Sequence, residues 1–313
     1  GAAAERAGGG RCEILIAMVW RGLWIVVVLA WPGFGQDLKA FEKTVTEFTL
    51  ANGLHFLVAE RHDAPVVSFA TQVDVGAVDD PKGATGMAHM FEHMAFKGTA
   101  QIGTKNWAGE KKAMEAVEIA FRGLVEERAK GTRADQKRLG ELEKAFKAAV
   151  EKAQELVETD EYSRVIEQSG GVGLNAGTWP DKTVYFYSLP SNRAELWFYL
   201  ESERFLRPVF RQFYKERDVV REERRMRTES NPIGKLVEAF LTAAFNAHPY
   251  GQPAVGWPTD VENFSVTDAE EFYRKYYVPA KMTIAIFGVV DAKQVLRMAE
   301  TYFGRLAKRP LPT

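Results

Sequence analysis

The sequence predicts an α+β fold. Segments with strand-like alternation and segments with helical periodicity follow one another without a regular strand–helix beat, which argues against a doubly wound parallel sheet. A long, charged, helix-periodic stretch interrupts the middle of the chain, and no short repeat is visible.

From Phe41 the pattern is β. Residues 45–60 (VTEFTLANGLHFLVAE) read as two strands around an Asn52-Gly53 turn, because that pair tolerates the positive φ of a tight hairpin. Residues 64–77 alternate apolar and polar side chains for a third strand. DDPKG breaks the chain, and a helix starts near Thr85 or Gly86. Within 107–158, Met114, Val117, Phe121, Leu124 and Val125 recur at helical spacing, KGTRAD interrupts, and Leu139, Leu142, Phe146, Val150, Ala153 and Leu156 recur likewise. This predicts an antiparallel pair of amphipathic helices with charged outer faces, a solvated insertion without chemistry of its own. Residues 170–190 read as two strands, AELWFYLESERFL as a helix, 214–230 as a charged helix and 233–247 as a further one. HPYGQPAVGWPTD (248–260) is a Pro/Gly loop. TDAEEFYRKYY is a helix capped by Thr267 or Asp268. MTIAIFGVV (282–290) reads as a buried strand, and the last helix covers about 292–303.

With 313 residues the chain can bury one large core or two small ones. Its 41 basic and 42 acidic residues give no electrostatic reason for a nucleic acid partner. The single cysteine, Cys12, excludes an internal disulfide and any cysteine-based zinc site, so a bound metal must take its ligands from His, Asp or Glu. Residues 1–17 look like a non-native or untranslated leader, with Met18 a plausible start. Residues 18–35 then show a charged start, an apolar run from Leu23 to Trp31 and a small-residue end at Gly33 and Gly35. That is a signal-peptide pattern; a membrane anchor over 14–34 is the rival, and both imply export.

The chemistry concentrates in GATGMAHMFEHMAFKGT (83–99), where two of five histidines stand four residues apart. On a helix His89 and His93 share a face, and neutral imidazoles there suit zinc. Glu92 is placed to act as general base toward a metal-activated water. The order H-x-x-E-H is the inverzincin pattern. Zinc needs a third protein ligand. Glu216 and Glu223 lie seven residues apart on the charged helix and share a face, whereas Glu222 is turned about 100° away from Glu223. They could place one carboxylate on zinc and another beside it, although such a charged run also reads as a solvated face.

GMAHMFEHMAFKGT, GGVGLNAGT, SLPSNRAELWFYLESERF, ERDVVREERRMRTESNPIG, HPYG and KYYVPAKMTIAIFGVVD occur in an order that resembles the pitrilysin/insulinase family of zinc metallopeptidases, in particular bacterial members related to the mitochondrial processing peptidase. The resemblance spans about 42–306 apart from the helical insertion. It implies a mixed, largely antiparallel sheet with helices packed on it. It makes 37–313 a peptidase N-terminal domain with His89, His93 and Glu223 as Zn2+ ligands, Glu92 as general base and Glu216 as a supporting carboxylate. Substrate would add as a strand to the edge strand NAGT, with Asn175, Ala176 and Thr178 bordering the scissile bond.

His93 and Glu223 stand 130 positions apart, farther than the family pattern, and the surplus is close to the length of the hairpin. The family works as paired homologous domains whose second half brings an arginine and a tyrosine to the substrate. That half is absent here, so a further domain or partner subunit is expected. The reading is a zinc endopeptidase cutting unfolded peptides or small proteins, exported to the periplasm or secreted and possibly held by a membrane anchor. A non-catalytic peptide-binding subunit is the alternative. A lyase of the quorum-signal type also uses H-x-x-E-H but fits the signal segment poorly.

Overall fold

The computed structural model describes residues 38–312, so the leader and the signal or anchor segment lie outside the described residues. Of the described residues, 38–44 belong to one compact unit and 45–312 to another. Of the first, the described part is a short helix, Leu38–Glu42, followed by a turn in which Thr44 Oγ1 donates to the Phe41 carbonyl at 2.7 Å.

The second unit is built on one six-stranded sheet: β1 (Val45–Thr49), β2 (His55–Glu60), β3 (Val66–Val73), β4 (Val172–Thr178), β5 (Thr183–Pro190) and β6 (Met282–Gly288). The spatial order is β1-β2-β6-β3-β5-β4. Only β2 and β6 run parallel; every other pair is antiparallel, so the sheet is mixed and the fold is α+β as expected. The hairpin turns where the sequence places it, at Gly53 with φ +98°. β4 forms one edge, and its register shifts between Val172 and Asn175 around Gly173, which has φ +69°.

Ten helices follow in chain order: α1 (Met87–Met94), α2 (Trp107–Arg128), α3 (Gln136–Gln154), α4 (Glu161–Gln168), α5 (Ala194–Leu206), α6 (Phe213–Arg224), α7 (Pro232–Ala244), α8 (Pro258–Asn263), α9 (Val266–Tyr276) and α10 (Ala292–Tyr302). Helices α5 and α10 cover one face of the sheet. Trp197 of α5 stacks on Phe69 of β3 at 4.5 Å, and Phe303, just after α10, meets Phe56 of β2 edge-on. Alternation along the strands buries Phe56, Val58, Val67, Phe69, Tyr185, Tyr187, Ile284 and Ile286 on that face.

Four expectations need correction. β6 is not buried on both sides: Phe287 points to the open face of the sheet and is 46 % exposed. α9 is capped by Ser265, whose hydroxyl accepts from the Asp268 amide while Asp268 answers the Ser265 amide, so Asp268 is the third residue of a capping box rather than the cap. The loop at 248–260 contains the start of α8, because Pro258 at a first helical position costs no hydrogen bond. The inserted pair α2–α3 is charged outside, but its inner face is packed. Phe121 is buried against Tyr214 of α6 at 4.4 Å, and Phe146 meets Tyr214 at 5.1 Å.

Two features position the histidine helix. Asp80, buried in the turn before it, accepts from the Gly86 amide at 2.7 Å and the Ala88 amide at 2.8 Å, satisfying N-terminal donors that the cap residue, Gly86, has no side chain to meet. Gly86, with φ +94°, lets the backbone pass Val255 and Gly256, where a Cβ would come within 2.8 Å of the Val255 carbonyl oxygen. By contrast, α7 is held by the Arg224–Glu238 pair at 2.9 Å and by the Thr242 hydroxyl, which donates to the Gly251 carbonyl at 3.2 Å, while its apolar side is left open. Ile233, Leu236 and Phe240 of α7 are each about two-thirds exposed. Among the described residues no helix is long and apolar enough to cross a membrane.

The Asp80→Ala variant should lose about 2 kcal/mol of folding stability, because it orphans two buried helix amides. Urea unfolding measures this; a loss below about 0.5 kcal/mol would show that the start of α1 is held without its cap.

Candidate metal centre

Helix α1 divides its residues between two faces. Met87, Ala88, Met90, Phe91 and Met94 go into the core, where Phe91 packs on Tyr277 at 4.8 Å and on Phe210 and Tyr273 at 5.6 and 5.7 Å. The face left over carries His89, Glu92 and His93. The two imidazoles lie nearly perpendicular with centroids 4.8 Å apart.

Helix α6 arrives opposite. Its Glu223 places Oε2 at 3.3 Å from His93 Nε2 and 3.6 Å from His89 Nε2. These contacts are long for hydrogen bonds. They match the separation of about 3.3–3.6 Å between ligands of a tetrahedral ion bonded at 2.0–2.2 Å. Among the described residues, His89, His93 and Glu223 form the one group of three that can close on an ion, with ligand atoms within 4.8 Å of one another. Two imidazoles and a carboxylate form a donor set suited to zinc, so the residues fit the metal that the sequence implies. The other oxygen of Glu223 is held by Arg227 at 2.8 Å, which keeps Oε2 aimed at the rings. Arg227 reaches it from a π-helical turn, Arg225–Glu229, that directly continues α6.

Glu216 stands one face-repeat earlier on α6. Its Oε2 lies 3.5 Å from His93 Nδ1 and its Oε1 2.5 Å from Lys97 Nζ, so it faces the far side of a ligand ring, where a carboxylate fixes orientation and tautomer. Glu222 turns away, as its spacing predicts, and pairs with Arg225 in solvent.

Electrostatics divide the two histidines. Burial, then the neighbouring His93, lowers the pKa of His89 to about 4, so it is neutral at pH 7. Burial acts in the same direction on His93, but Glu216 and Glu223 override it and raise its pKa to about 9. Glu223 is held below the usual carboxylate range, chiefly by His93. Burial pushes Glu216 up, yet His93 and Lys97 bring it below that range too. Glu92 moves the other way: burial raises it, and the Thr178 hydroxyl, donating to Glu92 Oε2 at 2.6 Å, only partly offsets this.

Thr178, expected beside the scissile bond on the edge strand, makes a contact the sequence did not indicate: its hydroxyl grips the carboxylate of Glu92. Asn175 and Ala176 lie on the edge strand β4 as expected, paired with Phe186 and Tyr185 on one side only. The Asn175 side chain accepts from the Ala176 amide at 2.8 Å. Sequence reasoning passed over Lys97, Asp80 and Arg227. Lys97 lay in the quoted motif, four residues after His93, a spacing that could have marked it as a neighbour. A groove of about 540 Å³ between α2 and the start of α9 contains none of these residues, so cavity size does not mark the chemistry.

Comparison with known proteins points the same way. The family model "Insulinase (Peptidase family M16)" matches residues 56–116, which include His89, Glu92 and His93. The model "Peptidase M16 inactive domain" matches residues 263–313, which contain no member of the cluster. The chain is 25 % identical over 293 residues to the zinc protease PqqE of Helicobacter pylori, covering 92 % of this chain and 53 % of that protein. It is 24 % identical over 279 residues to a probable mitochondrial-processing peptidase subunit beta of Arabidopsis thaliana, covering 88 % and 41 %. A crystal structure of a protease from Helicobacter pylori superposes with a TM-score of 0.65 at 24 % identity, over 86 % of this chain and 52 % of that one. The periplasmic protease PqqL of Escherichia coli gives 0.63 at 18 %, over 87 % and 25 %. The chain thus spans about half the length of the first curated relatives it matches.

Zinc bound at these three residues would have to displace the proton that His93 carries below about pH 9. Apparent zinc affinity should therefore rise close to tenfold per pH unit between about 7 and 9 and flatten above, as read by competition with a chelator. An affinity flat across that window would refute a protonated His93. In the metal-free protein the same raised pKa favours the fold below the ordinary 6.5, and that contribution is lost as pH rises through about 9.

Proposed function

We propose, on the premise that this chain carries peptidase M16 (insulinase/pitrilysin) sequence and the fold that goes with it, that it is the metal-bearing domain of a zinc-dependent endopeptidase. The observation that supports this most is the convergence of His89, His93 and Glu223 from two helices, with Glu92 between the histidines and gripped by Thr178. In this reading the three converging residues hold zinc. Zinc so bound supplies Lewis acidity, polarising a carbonyl and bringing the pKa of water to about 7.

The chain's own groups do the rest. Glu92 takes a proton from water and returns it to the leaving amine; its raised pKa makes the first transfer easier, since a carboxylate of higher pKa is the stronger base, and brings the group nearer the operating pH for the return. Thr178 fixes which oxygen of Glu92 is free. The outer edge of β4 presents main-chain donors and acceptors to an extended peptide, so affinity depends little on substrate side chains and favours unfolded peptides or small proteins. Asn175 and Ala176 border the bond to be cut.

A homologous second domain or subunit completes the enzyme in this proposal. Two observations support it: relatives about twice as long, and the exposed apolar face of α7, which follows the π turn after Glu223. Export rests on the residue 18–35 pattern, outside the described residues, and on the likeness to PqqL, a periplasmic protease of Escherichia coli. The second reading, a peptide-binding subunit without catalysis, draws on the inactive-domain match at 263–313.

Glu92→Gln should keep stoichiometric zinc and slow cleavage of a quenched peptide by about 10²–10⁴-fold, whereas Glu223→Ala should lose the metal. The measurement uses the protein with its second domain or partner. Stoichiometric zinc with no cleavage by the wild type would decide for the binding subunit.

A further inference from the structure

The helical insertion is fastened to the metal centre by one buried arginine. Arg211 precedes α6 and is 1 % exposed; Glu110, in the first turn of α2, is fully buried. All five guanidinium N–H groups find partners. Nε donates to Glu110 Oε1 at 2.5 Å and Nη2 to Glu110 Oε2 at 3.0 Å. Nη2 also donates to the Thr99 carbonyl at 3.1 Å, and Nη1 to the carbonyls of Lys97 at 2.5 Å and Ile102 at 3.0 Å. Saturation of this kind fixes the guanidinium in one pose.

The segment 97–103, which follows α1, is wrapped around that group. Gly98 and Gly103 sit at φ +85° and +91°. A Cβ on Gly103 would lie 2.5 Å from Arg211 Nη1, and one on Gly98 2.3 Å from the Ile102 carbonyl oxygen. A second tie stands beside the first: Gln212, strained at φ +59°, donates from Nε2 to Gln154 Oε1 at the end of α3 at 2.6 Å. Both helices of the insertion are therefore anchored at the start of α6.

The carbonyl of Lys97 is held by Arg211, and the ammonium of the same residue meets Glu216, which faces His93 Nδ1. We infer that Glu110 and Arg211 are positioning residues for the metal centre, acting through Lys97 on Glu216 and so on the orientation of His93. The inference rests on the zinc reading above. It makes the insertion part of the machinery that keeps a ligand ring in place.

The test is a double-mutant cycle read by zinc affinity, with melting temperature recorded for each variant. The pair Glu110→Gln/Arg211→Met removes the latch without leaving a lone buried charge, the form in which buried pairs are best tolerated. It should weaken zinc about threefold to tenfold, less than the 10–100-fold typical of removing a ligand's direct partner. In a Lys97→Met background the same pair should weaken zinc no further, because the route is already cut. An equal loss in both backgrounds, or no loss in either, overturns the proposal and leaves the latch purely structural. Wild-type protein that binds no zinc would refute the metal reading instead. The latch is then judged by amide exchange of residues 97–103 at matched stability: exchange unchanged in the double variant overturns its hold on Lys97. If the double variant does not fold, Arg211→Lys replaces it, since lysine keeps the charge but cannot make five fixed bonds.

Discussion

The candidate metal cluster depends on how α1 divides its eight residues. Five apolar side chains bind the helix to the core, and the narrow remaining face carries His89, Glu92 and His93. That face is useful only because α6 crosses it, bringing acidic side chains against two partly buried imidazoles. Without an ion, the site resolves the conflict by placing one proton on His93, between Glu216 and Glu223, and leaving His89 neutral. Burial alone would neutralise both rings, so the carboxylates decide the charge state. The same arrangement is poised for a cation, since an ion can replace the proton while the flanking groups keep their places.

Rigid support surrounds this small face. The start of α1 is held by the Asp80 carboxylate and by the close backbone passage at Gly86; its exit is held by Arg211. The charged pattern of the insertion suggests a helical pair standing free in solvent. Its inner stripe instead packs on the helix that carries Glu216 and Glu223, with Tyr214 between Phe121 and Phe146. Extra length between the proposed ligands thus adds a brace to the same two helices rather than a detached ornament.

Two surfaces remain unfilled within the described unit. β4 leaves one side of its backbone without a partner strand, and α7 turns Ile233, Leu236 and Phe240 outward. An open strand edge beside Glu92 is a place for an extended chain to add. An apolar helix face calls for a folded partner. The two demands differ, and they match the division of labour between substrate and second domain in the proposed function.

The sequence by itself determined the local elements: the Asn52-Gly53 hairpin, the strand alternation, the helical spacing of the insertion, and the placing of His89, Glu92 and His93 on one helical face. Those features depend on residues within a few positions of one another, where backbone preference and side-chain period are written directly. It also set Glu216 and Glu223 on a shared face, with Glu222 turned away. The crossing of α6 over α1, at a separation of 130 positions, was decided by sheet order and core packing. So were the Thr178 grip on Glu92, the role of Lys97 and the reach of Arg211 into the insertion. Ser265 outranked Thr267 and Asp268 as the cap of α9 because the cap is chosen by which side chain meets the free amides, and that is fixed only when the chain folds.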